Sequence, residues 1–185
     1  MKKVMFSILI SAFIVGCAGK AMNYMTYSES RPVIKATPDL STVVIFRFMF
    51  YGAPWVFKHY VDGKLIGENK GRTWFMAKIK PGKHYLMSHS EIVATAYMNF
   101  KPGKIYYLSE GAVIGLDRVR PTGFGPLSER EAIEGEKTYR YLEFQSTKDA
   151  EDMDLELYKQ SIKDYEKEIK ENPAGFKDIL GYDGV

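Results

Sequence analysis

Three tight-turn signatures, Asp62-Gly63, Pro81-Gly82 and Pro102-Gly103, punctuate a stretch otherwise rich in branched and aromatic residues. That cadence restricts the fold to short β-strands joined by turns. Asp-Gly is the signature of a two-residue type I′ hairpin, whose central residues both need positive φ. Pro then Gly suits the central pair of a type II turn, because Pro presets φ and Gly supplies the positive φ. The two Pro-Gly turns lie in near-copies, KPGKHY (80–85) and KPGKIY (101–106). We read them as two uses of one good turn.

The residues between the turns set the strands. TVVIFRFMFY (42–51) is almost wholly apolar, as a strand buried on both faces would be. WVFKHYV (55–61) pairs through the Asp-Gly hairpin with KLIG. RTWFMAKI (72–79) alternates: Thr73, Phe75, Ala77 and Ile79 share one face, and Arg72, Trp74, Met76 and Lys78 the other. Residues 86–100 read as two strands broken near Ser88–Glu91, and 105–120 as further strand. PTGFGP (121–126) reads as a loop, 127–137 as a short helix at most, and TYRYLEFQ (138–145) as a last strand. The aromatics Phe46, Phe48, Phe50, Trp55, Phe57, Trp74, Tyr106 and Tyr107 are expected to fill the core.

The ending differs. Ser146 or Thr147 can cap a helix with acids in its first turns and lysines towards its end, an order that suits the helix dipole. Asn172-Pro173 would stop it after about 25 residues, roughly 37 Å. Leu155, Tyr158, Ile162, Tyr165 and Ile169 form one narrow apolar stripe. It either packs on the sheet or binds a partner. Packing is preferred, since a lone stripe on a monomer needs a surface to cover it. The expected class is mainly β: an antiparallel β-sandwich, immunoglobulin-like or transthyretin-like, with a long C-terminal α-helix.

The N-terminus carries an address. Met1-Lys2-Lys3 supplies charge, and Val4–Val15 is apolar apart from Ser7 and Ser11. The run is too short for a spanning helix, which needs about 20 residues, and has the layout of a secretory signal. Ile14-Val15-Gly16-Cys17 resembles the lipobox of bacterial lipoproteins, with Val15 bulkier than the commonest choice. The resemblance implies cleavage between Gly16 and Cys17, and a covalent diacylglycerol and N-acyl lipid (palmitate) on Cys17. Cys17 is the only cysteine, so an internal disulfide is impossible. Ala18 stands where an aspartate would retain a lipoprotein at the inner membrane. The implied location is therefore the inner leaflet of the outer membrane, facing the periplasm. The expected organisation is a signal peptide over 1–16, a lipidated flexible tether over 17–41, a β-sandwich over 42–145 and a charged helix and tail over 146–185. Such a tether would span roughly 25–30 Å, with its tail open to pairing as an edge strand.

Three quoted segments belong together: VVIFRF, YVDGKLIGENKGRTWFMAKIKPGKHYLM and FKPGKIYYLSEG. Over Val43–Gly111 they resemble a family of small bacterial lipoprotein domains of unknown function, and the hairpin with its Pro-Gly turn resembles PEGA-type domains. The resemblance implies a β-sandwich and an exported setting, and brings no catalytic residues.

Chemistry is sparse. His84 and His89 differ by five, so one strand would point them to opposite faces, and neither has a cysteine or carboxylate at ligand spacing. His59 reads as an ordinary sheet-face residue. GENKGRT (67–73) lacks the spacing and terminal Gly-Lys of a P-loop, and no Gly-x-Ser-x-Gly elbow occurs. Glu91 and Glu110 are open to pairing in the fold. We expect no catalytic residues, no metal and no cofactor beyond the Cys17 lipid.

Net charge is +3, and +1 without Lys2 and Lys3, which gives no sign of nucleic-acid binding. The distribution is uneven: 14 Lys/Arg against 6 Asp/Glu over 31–120, and 9 against 16 over 127–185. Either the halves neutralise each other within the molecule, or a basic face meets an anionic envelope partner. The expected function is a non-catalytic binding or assembly module. It would meet the bilayer through Cys17 and an envelope protein or wall polymer elsewhere. The alternative is a passive structural lipoprotein whose C-terminal helix self-associates.

Overall fold

A computed structural model describes residues 21–50, 53–114, 119–145 and 150–185. It contains two packed sheets. The larger has the order β1 (Met25–Ser28), β10 (Arg140–Phe144), β5 (Thr73–Ile79), β2 (Ser41–Arg47), β8 (Ile105–Ile114), β9 (Val119–Pro126). The smaller has the order β4 (Lys64–Asn69), β3 (Phe57–Val61), β6 (Gly82–His89), β7 (Val93–Phe100). Pairing is mostly antiparallel, with β10–β5 and β2–β8 parallel. Helix α1 (Glu129–Thr138) follows β9, and α2 (Leu155–Glu171) follows β10. A 3₁₀ turn (Pro173–Phe176) and a short α3 (Lys177–Leu180) end the chain. The protein is thus a mainly β sandwich with a C-terminal helix.

Period-two alternation explains the layers. Val43 and Ile45 of β2, Phe75 of β5 and Tyr106 and Leu108 of β8 point between the sheets, where they meet Val61, Leu86, Met98 and Phe100. Their neighbours Val44, Phe46, Trp74 and Tyr107 point outward and are covered by Leu127 and α1 residue Ala132. Gly135 lets α1 approach closely, since a Cβ there would lie 2.9 Å from the Phe46 ring. On the opposite outer face, Tyr60 and Met87 pack against Met153, Leu157, Tyr158 and Ile162. Both faces of β2 are therefore buried, as its composition requires.

The Asp62-Gly63 turn has φ of 49° and 80°, the positive pair that type I′ demands. Asp62 also accepts the Tyr85 N–H at 2.9 Å, and the Gly63 carbonyl accepts the Met153 N–H at 2.8 Å. The two Pro-Gly copies both carry the chain from one sheet to the other. Gly103, at φ 70°, fits a type II turn; Gly82, at 135°, is away from that turn's value and opens β6 instead.

Several expectations are corrected. β2 ends at Arg47 rather than Tyr51. Residues expected in a flexible tether include β1, paired antiparallel with β10 from Met25↔Phe144 to Ser28↔Tyr141. The buried Glu68 carboxylate fixes the segment before it by accepting the Asn23 and Tyr24 N–H groups at 2.7 and 2.9 Å. PTGFGP is not a loop but most of β9, an edge strand where proline's missing N–H costs no ladder bond. Helix α2 begins at Leu155, capped by Asp154 Oδ1, which accepts from Glu156 and Leu157 N–H at 3.0 Å each. Its 17 residues span about 26 Å. Ser146, Thr147, Gly16, Cys17 and Ala18 lie outside the described residues. Among the described residues, no helix is long and apolar enough to cross a membrane.

Candidate functional site

The residue types of a hydrolytic site do meet in this fold, but in the wrong order. β2 brings Arg47, β3 brings His59, β6 brings Ser88 and β8 brings Glu110 into the inter-sheet space. All four are essentially fully buried. His59 Nε2 lies 3.0 Å from Glu110 Oε2, and Ser88 Oγ donates to the other carboxylate oxygen. The His59 ring packs edge-on to Phe75 at 5.2 Å, and its Nδ1 has no hydrogen-bonding partner. Arg47 Nη1 donates to the Trp55 carbonyl at 2.7 Å, and the guanidinium lies over the Phe57 ring at 3.7 Å.

Burial alone would raise the Glu110 pKa. His59, Ser88 and Arg47 outweigh it and hold the carboxyl below its ordinary value. Burial pulls Arg47 down to about 10, with Glu110 opposing the shift, so the guanidinium stays charged at neutral pH. A serine nucleophile must donate to the histidine that the carboxylate orients. Here the carboxylate sits between serine and histidine, and no part of the cluster reaches solvent. This arrangement ties the two sheets together and cannot activate Ser88.

The accessible concavities lie elsewhere. A groove of about 700 Å³ runs between α2, the outer edge of β7 and β9. Its walls are Ala94, Thr95 and Ala96 on one side, Pro121, Thr122 and Gly123 on another, and Gln160, Ser161, Asp164 and Glu168 from α2. Among the described residues, β7 pairs only with β6. The Tyr97 N–H points away from β6 and donates to the Tyr165 hydroxyl at 3.0 Å. By the alternation of antiparallel pairs, Thr95 directs its own N–H and C=O the same way, into the groove. Thr95 Oγ1 is enclosed there without a hydrogen-bonding partner. A second groove, of about 480 Å³, lies at the N-terminal end of α2 between Ala21, Trp55, Lys58, His89, Glu91 and Asp152.

Of the stripe, Tyr165 is buried, Tyr158, Ile162 and Ile169 are half-buried on the protein's own elements, and Leu155 is 60% exposed. Leu157, one position off the expected stripe, takes up the packing with Met153. The three histidines separate. His84 Nδ1 contacts Asp62 in the hairpin turn, while His89 lines the second groove. Among the described residues, no group of three His, Cys, Asp or Glu is placed to hold a metal. Phe46, Phe57, Trp74, Tyr106 and Tyr107 are core as expected, whereas Phe50 is 74% and Trp55 37% exposed.

The charge asymmetry closes partly on itself. Lys58–Glu151, Lys64–Asp152 and Lys101–Asp183 join the basic middle to the acidic end. Sequence reasoning missed Arg47 and Ser88 as members of the buried cluster. An arginine on the Val43–Ile45 face of an almost wholly apolar strand was the available signal. Compared with protein-family models, characterised proteins and solved structures, the chain matches none.

Proposed function

We propose that this protein is a lipid-anchored, non-catalytic binding module of the bacterial envelope, and that the groove beneath α2 holds an extended peptide segment of a partner. The lipobox-like ending at Cys17 and the resemblance to small lipoprotein domains support the anchored periplasmic setting. The observation that carries the binding role is the β7 edge at Thr95, whose outward backbone groups face an open groove. An added strand would satisfy them through main-chain hydrogen bonds. Asp164 and Glu168 on the α2 wall favour a peptide bearing a cationic side chain.

A photo-crosslinking residue in place of Gln160, introduced in cells, tests this. The expected product is a crosslink to one extended segment of another envelope protein, lost in Thr95→Pro. That substitution removes the outward N–H but leaves the β6 ladder intact. Crosslinks to the protein itself alone would favour the passive structural lipoprotein, and an unchanged crosslink in Thr95→Pro would exclude strand addition.

A further inference from the structure

One end of the sandwich gathers exposed apolar side chains from three separate connections. Phe50 and Trp55 come from the β2–β3 connection, Ile92 from the β6–β7 turn, and Val113 and Ile114 from the end of β8. They are 74, 37, 43, 49 and 54% exposed. Contacts beneath them show that the connections adjoin. Met49 Sδ accepts the Ala112 N–H at 3.1 Å, and Ser90 Oγ donates to the Val119 carbonyl at 2.9 Å. Phe57, Ala112, Val119 and Met49 form a small apolar cluster under the tip. β8 continues to Ile114 while its neighbour β2 stops at Arg47, so the tip projects.

The N-terminal chain arrives at the same end. Ala21 lines a groove with Trp55, Ser90 and Glu91. Glu68 fixes Asn23 and Tyr24, just after Ala21, by accepting their N–H groups. Ala21 lies four residue steps after Cys17. Fully extended, they reach at most about 14 Å. A lipid on Cys17 therefore cannot hold this end far from the bilayer.

We infer that Phe50, Trp55, Ile92, Val113 and Ile114 form a second membrane contact that seats the sandwich tip-down on the leaflet carrying the Cys17 lipid. This rests on the lipid-anchor reading above. Its occupant is the bilayer interface. Trp55, with one edge exposed, is the residue type that sits at headgroup level. Arg72, whose N–H donates to the Arg47 carbonyl, and Arg120, next to Val119, are exposed near the tip and suited to anionic headgroups, with Glu91 exposed beside them. In this pose the protein is held close to the membrane at a fixed angle rather than swinging on a long tether.

The test uses the full chain purified from cells and reconstituted into phosphatidylethanolamine–phosphatidylglycerol vesicles whose acyl chains are brominated near the carboxyl end. Trp55 and Trp74 are the only tryptophans, and Trp74 is fully buried. Subtracting the emission of the Trp55→Phe variant isolates Trp55. The expected result is that this emission falls by roughly half or more in brominated vesicles, and that Phe50→Ser/Ile114→Ser abolishes the quenching while the protein still floats with the vesicles. Floating protein with unquenched Trp55 overturns the tip contact and leaves the anchor standing, with the patch then free for a protein partner. Protein that carries no fatty-acid label and does not float overturns the anchor and the tip contact with it.

Discussion

His59 and Glu110 face each other across the two sheets at 3.0 Å, with neither side chain exposed. Glu110 also answers Ser88 and the charge of Arg47. One carboxylate thus holds β8 to β3 and β6, and its charge opposes the cost of burying the Arg47 guanidinium. Removing it takes away the carboxylate charge that favours the buried Arg47 cation. Glu110→Ala should destabilise the fold by about 3–5 kcal/mol, whereas the paired replacement Arg47→Met/Glu110→Leu should recover most of that loss. Denaturant midpoints of the three proteins check the prediction. An equal loss in the single and paired variants would mean the cluster's value lies in shape rather than charge.

The same carboxyl makes stability depend on acid. Its folded pKa lies below the ordinary value, despite burial, because His59, Ser88 and Arg47 favour the ionised form. Above the ordinary carboxylate pKa of about 4, folded and unfolded chains both carry the charge and its full contribution is present. As pH falls through that value the unfolded chain takes up the proton first, and the contribution is lost until the folded group also protonates. Midpoints measured in a pH series should therefore drop in acid, and the slope should be shallower in Glu110→Gln. Identical slopes would assign the acid loss to other carboxylates.

Much of this architecture was legible in the sequence because it rests on local chemistry. Asp62-Gly63 dictated its own turn, and the alternation of Thr73 to Ile79 predicted which residues face Val43 and which face α1. Failures came where tertiary context decides. PTGFGP carries two prolines and two glycines, yet an edge position next to β8 makes it strand. Asp154 rather than Ser146 or Thr147 caps α2, because Met153 is held by Gly63 and packs on Tyr60 and Met87 just before the cap. The buried cluster was out of reach because Arg47, His59, Ser88 and Glu110 come from four strands, and no spacing in one dimension records their meeting.

The hairpin turn offers a sharper stability test. At Gly63 an added Cβ would lie 3.6 Å from the Tyr158 ring, an ordinary contact, so Gly63→Ala reports the cost of φ 80° almost alone. That cost should be of order 1 kcal/mol, and Gly63→Val, branched at the same φ and pressed against Tyr158, should lose about 1–3 kcal/mol or more. Equal midpoints for wild type and Gly63→Val would mean the turn relaxes to another type.

The stripe on α2 separates packing from self-association. Ile162 is half-buried against Tyr60, Met87 and Val93, whereas Leu155 is exposed. Ile162→Asp should cost roughly 2–4 kcal/mol through a charge placed in an apolar seam. Leu155→Asp and Lys163→Ala should each stay within about 0.5 kcal/mol. Melts and sedimentation of the same purified proteins decide the matter. A native-like melt with lost oligomers in Ile162→Asp would make the helix an association surface.

Glu68 holds the segment ahead of β1 on the sandwich. Its buried carboxylate accepts two backbone N–H groups, from Asn23 and Tyr24, just ahead of β1. Without it, those donors face a half-buried surface with no acceptor, at about 1–3 kcal/mol each. The chain escapes that penalty by leaving the sheet. Glu68→Ala should therefore free residues up to about Ser28, raising amide exchange there far more than in β2 or β8. On the lipid-anchor reading proposed above, the consequence would be a longer leash between Cys17 and the sandwich. Cys17→Ser, by contrast, should remove fatty-acid label altogether, and Ala18→Asp should move the protein to the inner membrane without altering its melt. If Glu68→Ala exchanges like wild type over 23–28, β1 is held by its ladder to β10, and the carboxylate does not hold this segment.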